Sequence, residues 1–359
     1  MEESLDSKTG GKHRVTIREI AAEAGVHFTT VGLALRKSPQ LATATGERIR
    51  KIAKVMGYQP DPVLGALSAY RRKRGPRPKR ATLAWINNWP VRESMYKISV
   101  FQEYFDGAGA RAAELGYGLE EFWLYDKGMT ASRMGEILRA RGIEGILLAP
   151  QPRVGARPPL AYEHFAVVCF GYTLQPYDFH LVTNHHFHSM NLILEHLVVR
   201  GYRRIGLFVA AESDQKVENS WHGGLALALR RIPGLEEIPP LFQPILAEQE
   251  LSHWLQDYHP DVVVSQSEAL SILRKLGYHV PQQVGFVSLS VESQSSSISG
   301  IFQNSPHIGA AAVDMLNTLL HNRERGIPPT PTRLLVESSW REGTTLRPIP
   351  VPSPDGAPA

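Results

Sequence analysis

Residues 16–36, TIREIAAEAGVHFTTVGLALR, place apolar side chains on one face of two short helical segments divided by a glycine. Ile17, Ile20, Ala21 and Ala24 recur at helical spacing. Thr16 and Glu19 stand three apart, the spacing of a capping box that satisfies the first free amides of a helix. Gly25 permits the left-handed backbone that closes the segment, and Val26 plugs the turn. His27 begins the second segment. Val31, Ala34 and Leu35 face inward there, leaving Phe28, Thr29, Gly32, Leu33 and Arg36 outside. A third helical pattern over 43–56 turns Ile49, Ile52, Ala53 and Met56 inward and Arg48, Arg50, Lys51 and Lys54 to water. Asp61 and Pro62 then open a short apolar stretch to Ala69, with Gly65 inside it. Such a helix is marginal alone in water.

Beyond residue 80 the pattern changes to alternating strands and helices. Strands are predicted at 82–86, 118–123, 145–149, 166–170, 181–182, 204–209, 261–265, 284–289 and 299–302. Helices fall between them at 99–115, 130–141, 187–200, 219–231, 247–257, 267–276 and 306–322. Repeated alternation predicts parallel sheets covered by helices, and this length of chain suits two sheets with a cleft between them.

Charge divides the chain the same way. Residues 1–80 carry 17 Lys and Arg against 7 Asp and Glu, and the remainder 22 against 28, so a head of +10 precedes a body of −6. Phosphate binding confined to one end fits that asymmetry. The densest run, Arg71 to Arg80, reads equally as extra phosphate contact or as a solvated linker kept extended by Pro76 and Pro78. The one cysteine, Cys169, lies in the apolar run AVVCF and reads as a buried strand residue. No apolar run reaches membrane-spanning length, and the start MEESLDSKTGGKHR is not a signal peptide, which fits a cytoplasmic, nucleoid-associated protein. Residues 1–13 and 346–359 read as disordered tails.

Two short helices with a small-residue second helix have the shape of an element that enters the DNA major groove. An ordinary helical hairpin has the same pattern, but here a third helix and a basic segment follow at once. The stretches AAEAGVHFTTVGLAL and TGERIRKIAKVMGYQPD resemble the LacI-type (lactose and purine repressor) family of bacterial regulators. The resemblance is close over the head and loose over the body. It implies an all-α helix-turn-helix head (14–59), a hinge helix and basic linker (60–80), and an α/β body (81–345). The body would comprise two Rossmann-like lobes of periplasmic-binding-protein type. The first would span 81–171 with 303–331, and the second 172–300 with 332–345, joined by crossovers near 171–173, 300–303 and 330–334.

By the same resemblance Phe28, Thr29 and Leu33 face base edges. Ile17, Arg18, His27, Thr30, Arg36, Thr45 and Tyr58 fall at DNA-contact positions along the backbone. Leu67 stands where a hinge leucine wedges into a minor-groove step. The partners implied are a near-palindromic double-stranded operator, a second copy of the chain and a small-molecule effector, with a sugar as the candidate. His27 and Gly32-Leu33 depart from the family's usual Ser and Ser-Arg. Loss of that Arg removes a bidentate guanine contact that contributes about 1–3 kcal/mol of discrimination. Phe28 and Leu33 would pack on thymine methyls instead.

Ligand sites in open parallel sheets lie past the carboxyl ends of the strands. Trp89, Phe101, Asn184, Trp221, Glu268 and Ser290 sit near such ends, and by resemblance are effector-contact positions. The aromatics among them suit either stacking on a flat ring or plain cleft filling. The family's Arg and Asp are mostly missing here, and Glu268 alone keeps its charge. His180, His185, His186 and His188 have no Cys, Asp or Glu among them and read as cleft or solvent histidines, not as a metal site. No catalytic set and no cofactor motif is found, so the expected protein is not an enzyme. A solute-binding sensor without DNA reading would need the same body, but with a signal peptide and no basic head.

Overall fold

A computed structural model describes residues 15–35, 41–58, 81–292 and 297–349, and the chain divides into units at 1–79 and 80–359. The first unit holds α1 (Ile17–Ala24), α2 (Phe28–Leu35) and α3 (Thr43–Val55). The capping box forms in full: Thr16 Oγ1 accepts from the Glu19 amide, and Glu19 reaches back to the Thr16 amide. Gly25 closes α1 at φ 63°. Ile20, Ala24, Val31, Ala34, Ile49 and Ala53 make the small core. Ile17, expected on that face, is exposed instead. Two arginines expected in water are engaged. Arg48 donates to the Ala24 carbonyl at 3.1 Å and Arg50 to the Ala34 carbonyl at 3.0 Å. Each places a cation on the carbonyl end of a neighbouring helix, where the helix dipole favours it. Residues 1–13, Arg36, the hinge with Leu67, the basic run 71–80 and the tail from 350 lie outside the described residues.

The second unit begins with β1 (Thr82–Asn87), α4 (Ser99–Glu114), β2 (Gly118–Trp123), α5 (Ala131–Ala140), β3 (Gly145–Leu148), β4 (Ala166–Phe170) and β5 (His180–Asn184). It continues with α6 (His186–Val199), β6 (Ile205–Ala210), α7 (Ala211–Gln215), α8 (Ser220–Arg231), β7 (Leu241–Gln243) and α9 (Glu248–Tyr258). Then come β8 (Val262–Ser265), α10 (Ala269–Lys275), β9 (Gly285–Ser288), β10 (Gly300–Phe302), α11 (Ser305–Asn322), β11 (Arg333–Val336) and β12 (Ser339–Arg341).

These strands form two six-stranded sheets, β2-β1-β3-β4-β5-β11 and β7-β6-β8-β9-β10-β12. The two orders correspond strand for strand, so each lobe is a doubly wound sheet whose strand order reverses beside its first strand. All pairings are parallel except β10 with β12. Cys169 is buried in β4, as its apolar setting predicted. α11 belongs to the first lobe and crosses α4 closely. A Cβ on Gly107 would lie 2.0 Å from the Pro306 carbonyl oxygen, and one on Gly309 2.1 Å from that of Tyr104. These glycines are therefore there for helix contact.

Two expected crossovers are corrected. β5 pairs with β4, so the chain leaves the first lobe after Asn184 and not near 171–173. β11 pairs with β5, so the last crossover follows Val336 and not 330–334. Residues 172–184 and 333–336 thus belong to the first lobe. The loop 171–179 folds back over its own lobe, where Tyr172, Leu174 and Phe179 join the core.

Candidate functional site

The head presents one open face. Phe28 is 47 % exposed, and His27, Thr29, Ile17 and Arg18 are exposed beside it. Leu33 and Thr30 are half-buried on the same helix. Thr45 and Tyr58 are half-buried elsewhere in the head, with Tyr58 packed on its core. The His27 carbonyl accepts the first amide bonds of α2, so His27 stands just before the helix. Its ring lies 4.2 Å from that of Phe28, and its Nδ1 is 2.8 Å from Thr29 Oγ1. These contacts fix the helix's leading residues before any partner arrives. No residue of FTTVGLAL is charged, so α2 offers apolar and hydroxyl groups and no guanidinium.

In the body, a cavity of about 220 Å³ opens at the carboxyl ends of both sheets. Phe101, Tyr104 and Phe170 line it from the first lobe, and Trp221, Val217 and His186 from the second. Tyr104 stacks on Phe170 at 5.3 Å, and His186 meets Trp221 edge-on at 5.7 Å. Gln266 and Gln303 enter from strand ends, and Lys216 from α7. Lys216 Nζ donates to the Pro152 carbonyl at 2.9 Å, bridging the lobes at this cavity.

Buried polar groups are normally hydrogen-bonded, and those that are not need an explanation. Among the described residues, six buried side-chain atoms have no partner, and half of them belong to residues lining this cavity: His186 Nδ1, Trp221 Nε1 and Gln266 Oε1. His186 is 7 % exposed and Trp221 6 %. Burial pulls the His186 pKa down to about 3, so the imidazole is neutral at ordinary pH.

Of the six effector positions chosen from sequence, the structure brings Phe101 and Trp221 to the cavity. The other four do not line it. Trp89 packs behind Phe101 at 6.3 Å with its indole donating to the Pro150 carbonyl. Glu268 is exposed at the start of α10, because the chain turns outward after Gln266. Ser290's backbone is bound to the hydroxyls of Ser267 and Ser288. Asn184 is buried, and its amide holds the crossovers together. Nδ2 lies 3.3 Å from the Gln303 carbonyl, 3.1 Å from that of Val336 and 2.7 Å from Ser338 Oγ, while Oδ1 accepts from Ser189. Gln266 and His186 line the cavity instead, each two residues from an expected position, at a strand or helix end.

The other histidines separate. His180 Nδ1 accepts the Thr332 amide inside the first lobe. His185 and His188 stack at 5.5 Å and both meet Glu337, which the third crossover delivers. No group of three or more ligating side chains suited to a metal ion occurs among the described residues. No helix among them is long and apolar enough to cross a membrane.

A trihelical head with an exposed recognition face, followed in one chain by two facing lobes around a small cavity, defines a ligand-responsive DNA-binding regulator. The family comparisons agree from both ends. Residues 16–61 match the model for bacterial regulatory proteins of the lacI family, and residues 194–344 match the model for a periplasmic binding protein-like domain. The chain belongs to the lacI family of bacterial regulators. No curated protein matches it.

Solved structures of the same fold include a transcriptional regulator CelR–cellobiose complex. It is 19% identical with a TM-score of 0.58, covering 92% of this chain and 100% of that one. The lac repressor dimer bound to operator and the anti-inducer ONPF is 16% identical with a TM-score of 0.54, covering 93% and 100%. A CCPA regulator from Weissella paramesenteroides with bound glucose is 12% identical with a TM-score of 0.54, covering 74% and 98%.

Proposed function

We propose that this chain is a cytoplasmic, homodimeric repressor whose operator affinity is set by a small sugar in the cavity between the lobes. The observation that carries the effector half is a cavity at the carboxyl ends of both sheets, walled by Phe101, Tyr104 and Phe170 from one lobe and His186, Val217 and Trp221 from the other. The neighbours bound to cellobiose and to glucose supply the class of ligand.

On the DNA side, α2 lies in the major groove. Phe28, Thr29 and Leu33 read base edges, while Ile17, Arg18, His27, Thr30, Arg36, Thr45 and Tyr58 hold the backbone. Phe28 and Leu33 favour thymine methyls, because α2 lacks the arginine that reads guanine. Leu67 of each subunit wedges the minor groove once two hinges fold on a near-palindromic operator. The lac repressor dimer on its operator is the precedent for that pairing. Ligand binding changes the angle between the lobes and with it the spacing of the two hinges.

The test is a salt-dependent gel shift of the full chain on a random palindromic library, with and without a sugar panel. The reading predicts enrichment of a two-fold site and a shift in its affinity by at least one sugar. Sequence-independent binding untouched by any small molecule would overturn it.

A further inference from the structure

We infer that the cavity takes an uncharged single-ring sugar low in hydroxyls, a 6-deoxyhexose ahead of a hexose, and rejects disaccharides, sugar phosphates and sugar acids. This rests on the effector reading above and narrows its ligand.

Size comes first. At about 220 Å³ the cavity falls below the roughly 300–1,000 Å³ usual for ligand pockets, which leaves space for one ring and not two.

The walls decide how polar that ring is. Phe101, Tyr104, Phe170 and Trp221 supply aromatic surface, and Ile98, Val100 and Val217 aliphatic surface. Flat apolar ring faces pack well there. A hydroxyl facing those walls leaves water without a partner, which is unfavourable. A methyl in place of the exocyclic hydroxyl removes that loss.

Apart from Lys216, the polar side chains of the lining are neutral, with Thr173, Thr183, Ser213 and Gln303 among them. Trp221 Nε1 only donates, and Gln266 Oε1 only accepts. His186 Nδ1 takes either role according to its tautomer, and burial keeps the ring uncharged. Among the described residues no carboxylate and no arginine lines the cavity, so the bidentate forks that grip vicinal diols are missing there.

Charge is excluded on both sides. Among the described residues Lys216 is the only lysine or arginine in the lining, and it is already held by the Pro152 carbonyl and by Glu212 at 3.2 Å. A phosphate or carboxylate would lose hydration and gain no free cation, and a cationic sugar would meet no anion.

The experiment is isothermal calorimetry of the full chain against fucose, rhamnose, glucose, cellobiose, glucose 6-phosphate, gluconate and adenine. Operator anisotropy is read on the same samples. The expected result is binding of a 6-deoxyhexose at least tenfold tighter than glucose, with no heat from cellobiose, the phosphate or the acid. Gln266→Leu and Trp221→Phe should each weaken that binding about tenfold, the effect of one lost buried hydrogen bond. Thermal melts of both variants show that they fold. Tighter binding of cellobiose, glucose, the phosphate or the acid, with a shift in operator affinity, would overturn the inference and leave the effector reading standing. Binding of adenine alone would overturn the sugar class. No binding and no operator shift with any probe would overturn both.

Discussion

Asn184 Nδ2 lies 2.7 Å from Ser338 Oγ, so the first and third crossovers between the lobes are tied by a single buried amide. The same amide reaches the Gln303 carbonyl of the second crossover. All three crossovers between the lobes therefore meet at one side chain.

Replacing that amide should loosen this junction. Asn184→Ala leaves the Val336 and Gln303 carbonyls and two serine hydroxyls without this partner, a loss of about 1–3 kcal/mol. Urea unfolding should show a lower midpoint. Hydrogen exchange should rise at 184–189, 302–305 and 336–339 ahead of the sheet interiors.

His186 makes stability depend on pH. Its folded pKa, pulled down by burial to about 3, lies below the unfolded value near 6.5, so the unfolded chain binds the extra proton between those limits. The contribution is present above pH 6.5 and is lost as pH falls toward 3. The melting temperature should drop over that window, and less in His186→Phe than in the parent chain.

In the head, Arg50 and Ala34 are coupled by a hydrogen bond across α3 and α2. Arg50→Ala should cost about 1 kcal/mol and speed amide exchange in α2. An equal change in Lys51→Ala, an exposed neighbour, would show that lost charge and not this contact is responsible.

Phe28 is exposed and makes no core contact. Phe28→Ala should leave the melting temperature unchanged within about 0.5 kcal/mol, the usual range for surface positions. Operator affinity should fall about tenfold. The slope of log affinity against log salt should stay the same, since phenylalanine neutralises no phosphate.

The sequence carried much of this, for identifiable reasons. The capping box, Gly25 and the strands 118–123 and 166–170 follow from local chemistry and appear where expected. β7, β11 and β12 escaped because short sheet-edge strands are half wet and lack a continuous apolar run. RLLV, for example, leaves three of its four residues exposed. The first crossover was misplaced because HLVTN begins and ends in polar residues although all five are buried. In the cavity, Phe101 and Trp221 were legible as aromatics near strand ends. Gln266 and His186 were not, since a neutral amide and one histidine among four carry no signal until the lobes bring them together. The same applies to Arg48 and Arg50, whose partners lie 24 and 16 residues away.

Ligand control of DNA binding requires coupling between the cavity and the head, and linkage measures it directly. Operator affinity should be titrated with and without the calorimetrically identified sugar, and sugar affinity with and without operator. The two factors must be equal, since coupling is reciprocal, and both should fall to one in Trp221→Ala. Tight sugar binding that leaves operator affinity unchanged would contradict it.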